Sequence, residues 1–292
     1  MRENLYPRSI LKTYPNWFYV PAGLIFGIFF IVPTALAFYF SLTRWTLFNA
    51  TFIGLKNYQY FFRNPQLIGS LKNTIIYGVL TSGLKVVISL PLAILLTSKL
   101  KLRGLLRAII FFPVLVSTVA VGITFSMLMQ PLNGFINNAL GAIGISGPDW
   151  LGNPHLALYS VVLVDVWRGL GFATVIFMAG IQSIPREYFE AAALEGGEWV
   201  KFRHVILPLS RNATFTVILL SFIGGLRTFD LIWTMTGGGP GFASDVLTSV
   251  IYKQYQAGFY GISTAGNVVL FILVTIVAYP LMTFFNRLEL EL

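Results

Sequence analysis

Apolar residues in this chain run in long unbroken blocks, and most charged positions fall in the gaps between them. Six blocks are about 20 residues or longer, the length a helix needs to cross the hydrocarbon core of a bilayer. They are Phe18–Leu42, Thr74–Leu96, Ala108–Met129, Leu156–Ile181, Ala213–Met235 and Ile262–Phe285. This pattern predicts an all-α membrane protein, six transmembrane helices in one domain over residues 1–292. Pro33, Pro91 and Pro113 fall inside blocks, where membrane helices tolerate them better than soluble helices do. Trp17, Tyr19, Trp45 and Trp150 lie at block ends, where aromatic rings favour the membrane interface. The first block is too long for the apolar region of a cleaved signal peptide and no small-residue cleavage site closes it, so it reads as a retained span.

Composition agrees. Hydrophobic residues make up 56% and charged residues 11%, against about a quarter charged in a soluble domain. With no cysteine, disulfides, thiolate metal sites and thiol catalysis are excluded. A net charge of +9 would point to nucleic acid in a soluble protein, but here the basic residues mark membrane orientation. Twelve lie on one side: Arg2, Arg8 and Lys12; Lys99, Lys101, Arg103 and Arg107; Arg186, Lys201, Arg203 and Arg211; and Arg287. Only Arg44, Lys56, Arg63, Lys72 and Lys253 lie on the other, which places both termini in the cytoplasm.

The stretch Ile184–Ser210, between the fourth and fifth spans, concentrates seven fixed charges on the cytoplasmic side: Arg186, Glu187, Glu190, Glu195, Glu198, Lys201 and Arg203. Tyr188–Leu194 has strong helix formers and an acidic first turn, Gly196-Gly197 ends the helix, and an amphipathic piece from Glu198 leads to Pro208. Two readings are open on these residues alone. Small side chains and Glu190 suit a helix that another protein grips; Tyr188, Phe189, Trp199 and Phe202 suit a helix lying on lipid.

Charges inside spans are functional candidates, because each costs at least about 2.5 kcal/mol to bury. Asp165 and Arg168 stand three residues apart, as do Arg227 and Asp230, so each pair can neutralise itself on one helix face. Lys85 has no such local partner. At a rise of about 1.5 Å per residue, Asp165 lies about 14 Å deep, Ser117 and Thr118 about 15 Å and Ser221 about 12 Å. All approach the bilayer centre, where transporter sites gather. Helix–helix hydrogen bonds, and close helix contacts for the glycines, explain such residues equally well.

The segment "EAAALEGGEWVKFRHVILP" resembles the EAA loop of bacterial ABC-importer permeases, with Glu190, Ala191, Ala192 and Gly196 in place. Glu195 stands where the family has Asp, Gly197 where it has Ala, and the run to Leu207-Pro208 is one residue short. "QSIPREYFEAAALEG" and "TGGGPGFASDVL" are similar to the carbohydrate-uptake class, maltose-type first permease. The resemblance implies the type I importer permease fold, with residues 184–208 as a coupling loop that docks on a separate ATPase dimer. Glu190 would make the charged contact and Gly196 would permit the bend. It further implies a non-catalytic subunit of the bacterial inner membrane, partnered by a second homologous permease and by a periplasmic or lipid-anchored solute-binding protein. ATP and Mg would be bound by the ATPase, since this sequence has no phosphate-binding G-x-x-x-x-G-K-[ST] loop. The expected solute is a saccharide, with a pathway at Ser117, Thr118, Asp165, Arg168, Gly169, Ser221 and Gly225. Trp167 and Trp233 offer faces for sugar stacking. Lys85, Arg168 and Arg227 outnumber Asp165 and Asp230, which keeps an anionic sugar or glycerol phosphate open. A membrane enzyme fits poorly, the two histidines, His155 and His204, lying on opposite sides, and a gradient-driven carrier usually has more spans.

Overall fold

A computed structural model describes residues 16–46, 48–98 and 100–289. The basic residues Arg2, Arg8, Lys12 and Lys99 lie outside that set, as do residues 290–292; the last helix carries the terminal "LELEL" as far as Glu289. The first span, α1 (Trp17–Ser41), includes a π-helical stretch Gly27–Ile31. That extra residue per turn falls beside Pro33, whose missing N–H breaks the regular ladder. A hairpin of β1 (Thr43–Trp45) and β2 (Ala50–Phe52) and a short α2 (Lys56–Arg63) follow.

The second span, α3 (Pro65–Thr97), starts nine residues earlier than the apolar block does. Asn64 caps it by accepting from the Gln66 N–H at 2.9 Å, so it projects as a polar-ended rod beyond the apolar stretch. The third apolar block does not form one helix. It divides into α4 (Arg103–Leu115) and α5 (Thr118–Leu128), bent by 99°. Pro113 withholds a hydrogen bond from the last turn of α4, and Val116 and Ser117 turn extended, with ψ of 139° and 133°. Helix α6 (Phe135–Ala142) leads to the fourth span, α7 (Ala157–Gln182), which agrees with its apolar block to one residue.

Beyond α7 come α8 (Arg186–Glu195) and a run α9 (Glu198–Leu209) that turns by 61° into α10 (Arg211–Leu226). The fifth apolar block is also interrupted. α10 stops at Leu226, just after Gly224-Gly225, and Arg227–Phe229 are non-helical before the short α11 (Asp230–Met235). Finally α12 (Leu247–Gln256) lies against α13 (Tyr260–Glu289).

At the centre, α3 packs along α7 and α10, and α13 carries α1 on the outside. The crossings are set by small residues, as van der Waals packing in a bilayer requires. A Cβ on Gly225 would sit 2.8 Å from the Gly78 Cα, and one on Gly171 would meet the Ile110 carbonyl at 2.5 Å. Two apolar layers result. One joins Tyr77, Val161, Val164, Leu231 and Ile232; the other joins Leu90, Ala93, Ala173, Phe177 and Val217. Between them, Lys85 of α3 and Asp165, Arg168 and Gly169 of α7 have no place in either layer.

Candidate functional site: a mid-span cavity and an exposed helix

A cavity of about 530 Å³ occupies that gap. It is walled by Lys85, Thr118, Asp165, Arg168, Ser221 and Arg227, with Asp230, Gly169 and Thr228 close by. Both helix breaks border it: Val114 and Thr118 flank the first, and Arg227, Thr228 and Phe229 form the second. Irregular backbone is tolerated at membrane depth where it lines such a space.

Five of the seven expected pathway positions meet here: Thr118, Asp165, Arg168, Gly169 and Ser221. Two do not line the cavity. Ser117 is exposed at the start of α5, and Gly225 is spent on the contact with Gly78, with Gly224 lining the cavity in its place. Trp167 packs on Phe125 at 5.1 Å between ring centres, and Trp233 packs on Phe229 and Tyr252. Both are packing aromatics outside the cavity wall.

The charges pair differently from the spacing expectation. Among the described residues, neither Asp165–Arg168 nor Arg227–Asp230 forms an ion pair. Lys85 instead reaches across from α3, its Nζ donating to Asp165 Oδ2 at 3.2 Å. The helix break at Arg227–Phe229 removes the regular i, i+3 geometry from the second pair. The buried Nε of Arg168 has no hydrogen-bond partner among the described residues. Lys85, Arg227 and Asp230 stand out in the sequence as intramembrane charges, but their spacing gives them no common location. Thr228 and Phe172 carried no signal.

At one end of the bundle, α8 lies against the rest through a small apolar cluster: Ala192 is buried with Ile184 and Val205, and Phe189, Val200 and Leu209 close round them. Its other faces are open. Tyr188, Glu190 and Ala191 are exposed, and Leu194 is 91% exposed. The E-A-A motif therefore divides, with Glu190 and Ala191 facing out and Ala192 facing in. Gly196 ends the helix with φ 175°, an extended conformation open to any residue. Its lack of a side chain matters for space instead, because a Cβ would lie 2.4 Å from Val200 Cγ2. An open groove of about 830 Å³ beside α8 runs from Glu190 and Ala193 to Thr97 and Gln182.

At the opposite end, the glycine-rich segment 236–245 is tightly built. Gly237, Gly238 and Gly241 adopt positive φ, and Gly239-Pro240 is cis. Asp245 is fully buried and accepts from Lys253 Nζ at 2.8 Å and from Ser249 Oγ. Asn73 Nδ2 donates to the carbonyls of Ala243 and Asp245, tying the segment to α3.

A bundle whose spans break around a polar cavity, with an exposed helix at one end, is the architecture of a membrane permease. The family profile described as binding-protein-dependent transport system inner membrane component matches residues 85–289, and the chain belongs to that family. It is 33% identical to the trehalose/maltose transport system permease protein of Thermococcus litoralis, over 87% of this chain and 88% of that one. It is also 33% identical to the arabinooligosaccharides transport system permease protein of Bacillus subtilis, over 91% of this chain and 87% of the relative. Its fold superposes on a chain of a bacterial ABC transporter involved in import of the acidic polysaccharide alginate, with a TM-score of 0.79 over 92% and 94% of the two chains at 22% identity. The chain is thus an integral membrane permease of the ABC-importer class with the type I fold.

Proposed function

We propose that this chain forms one half of a saccharide pore and contains the docking element, α8, through which a separate ATPase dimer drives it. The observation that carries the reading is the division of the E-A-A motif. One face of α8 is anchored at Ala192, while Glu190, Ala191 and the almost fully exposed Leu194 stand free for a partner. A helix held in this way transmits rigid-body motion, so ATP binding at a neighbour biases two states of the bundle. ATP and Mg belong to that neighbour, and a second homologous permease closes the other side of the cavity. The segments 43–73, 131–155 and 236–261 receive the solute-binding protein, on the outer face of a bacterial cytoplasmic membrane with both termini inside.

Support for a saccharide comes from the relatives that carry trehalose, maltose and arabinooligosaccharides, and from the hydrogen-bonding walls of the cavity at Thr118, Asp165, Ser221 and Thr228. One observation favours a second reading, an acidic saccharide. Three cations, Lys85, Arg168 and Arg227, share the wall with two carboxylates, and guanidinium is a bidentate partner for an anion. The test is uptake into proteoliposomes holding both permeases and the ATPase, with loaded binding protein outside. Uptake that requires ATP and stops with vanadate supports the proposal; uptake driven by an ion gradient alone overturns it.

A further inference from the structure

Lys85 enters the cavity by an unusual route. It projects from α3 and crosses the face of α7 at Gly169 before reaching Asp165 one turn away. A Cβ at residue 169 would lie 2.5 Å from Lys85 Cε and 2.8 Å from Nζ. Gly169 therefore holds open the passage for Lys85. The pair is not sealed in the core: both residues line the cavity, with side chains 11% and 15% exposed.

We propose that Lys85 is a positioning residue for Asp165, and that the pair together reads two neighbouring hydroxyls of the solute. One ammonium proton is engaged with Asp165 Oδ2, which leaves two donors on Lys85 and free acceptor sites on the carboxylate. A hydroxyl both donates and accepts. One can donate to Asp165 while its neighbour accepts from Lys85, so a vicinal diol matches both members of the pair without separating them. Such diols occur on neutral and acidic saccharides alike. In this assignment Gly169 acts through Lys85 and does not itself touch the solute. The inference rests on the saccharide reading above.

The test uses the complete importer in proteoliposomes with maltose, trehalose, arabinotriose and digalacturonate as labelled solutes. Lys85→Met and Asp165→Asn each leave a lone charge in the membrane and should both lower the yield of assembled complex. The double variant removes both charges and should restore assembly, yet raise KM for the transported solute about tenfold, with a smaller change in kcat. A KM within about twofold of wild type in the double variant overturns the inference, because a purely structural pair can be deleted as a unit. If the double variant does not assemble, a second cycle decides. Gly169→Ala should raise KM about threefold in the wild type and add nothing in a Lys85→Ala background, measured there on the reduced fraction of complex that assembles without Lys85. An equal penalty in both backgrounds overturns the role given to Gly169 and Lys85. Uptake of none of the four solutes overturns the saccharide reading, and this inference with it.

Discussion

Two motif-bearing segments at opposite ends of the molecule use charge in opposite ways. In the glycine-rich segment 236–245, Asp245 is fully buried, and Lys253, Ser249 and Asn73 bind it and its backbone. In α8 the acidic Glu190 is exposed and a single buried alanine, with its apolar neighbours, fixes the helix. Removing one partner of a buried ion pair strands the other in low dielectric, whereas an exposed charge loses little by being left alone. The first segment therefore spends its charge on contacts within this chain, and the second leaves its charged side chain exposed.

The contrast can be broken by substitution. Asp245→Ala should cost the most, about 2–3 kcal/mol, because buried Ser249 loses its acceptor and half-buried Lys253 its carboxylate, seen as a large fall in thermal unfolding temperature of the detergent-solubilised complex. Gly225→Leu should cost about 1–3 kcal/mol in the same measurement, because its side chain would run into the backbone of α3 at Gly78. Ala192→Asp places a lone charge between Ile184 and Val205 and should release α8 alone. Limited proteolysis should then cut within residues 186–195, while the rest of the bundle unfolds at nearly its usual temperature. Leu194→Ala should shift stability by no more than about 0.5 kcal/mol, since the side chain touches little in this chain. An Asp245→Ala protein as stable as Leu194→Ala would erase the distinction.

The limits of α7 and α8 are readable in the sequence, because long apolar blocks and a Gly-Gly stop carry local information; four helices are long and apolar enough to cross a membrane, and six if each of the two bent pairs is one span. The breaks at Val116–Ser117 and Arg227–Phe229 were hidden. Around Val116–Ser117 no charged face reveals a change of direction, and Pro113 alone does not say whether a helix kinks or ends; at Arg227–Phe229 the i, i+3 spacing of Arg227 and Asp230 suits a continuous helix equally well. The partner of Lys85 was hidden for a different reason. Local spacing favoured Asp165 with Arg168, but the actual pair joins residues 80 positions apart across two helices. Likewise a glycine pattern does not state its purpose. Gly225 contacts the backbone of α3 at Gly78, and Gly169 lies on the cavity wall against Lys85, two uses that spacing alone does not distinguish.

The most direct test of the central claim is co-purification of the ATPase subunit with this permease, run beside ATP-dependent uptake, for wild type and for Glu190→Arg/Leu194→Arg. Both positions are solvent-exposed, so the thermal stability of the permease should stay within about 0.5 kcal/mol. The account predicts that the ATPase is lost from the complex and that uptake falls about tenfold or more. Retention of the ATPase together with undiminished uptake would contradict it.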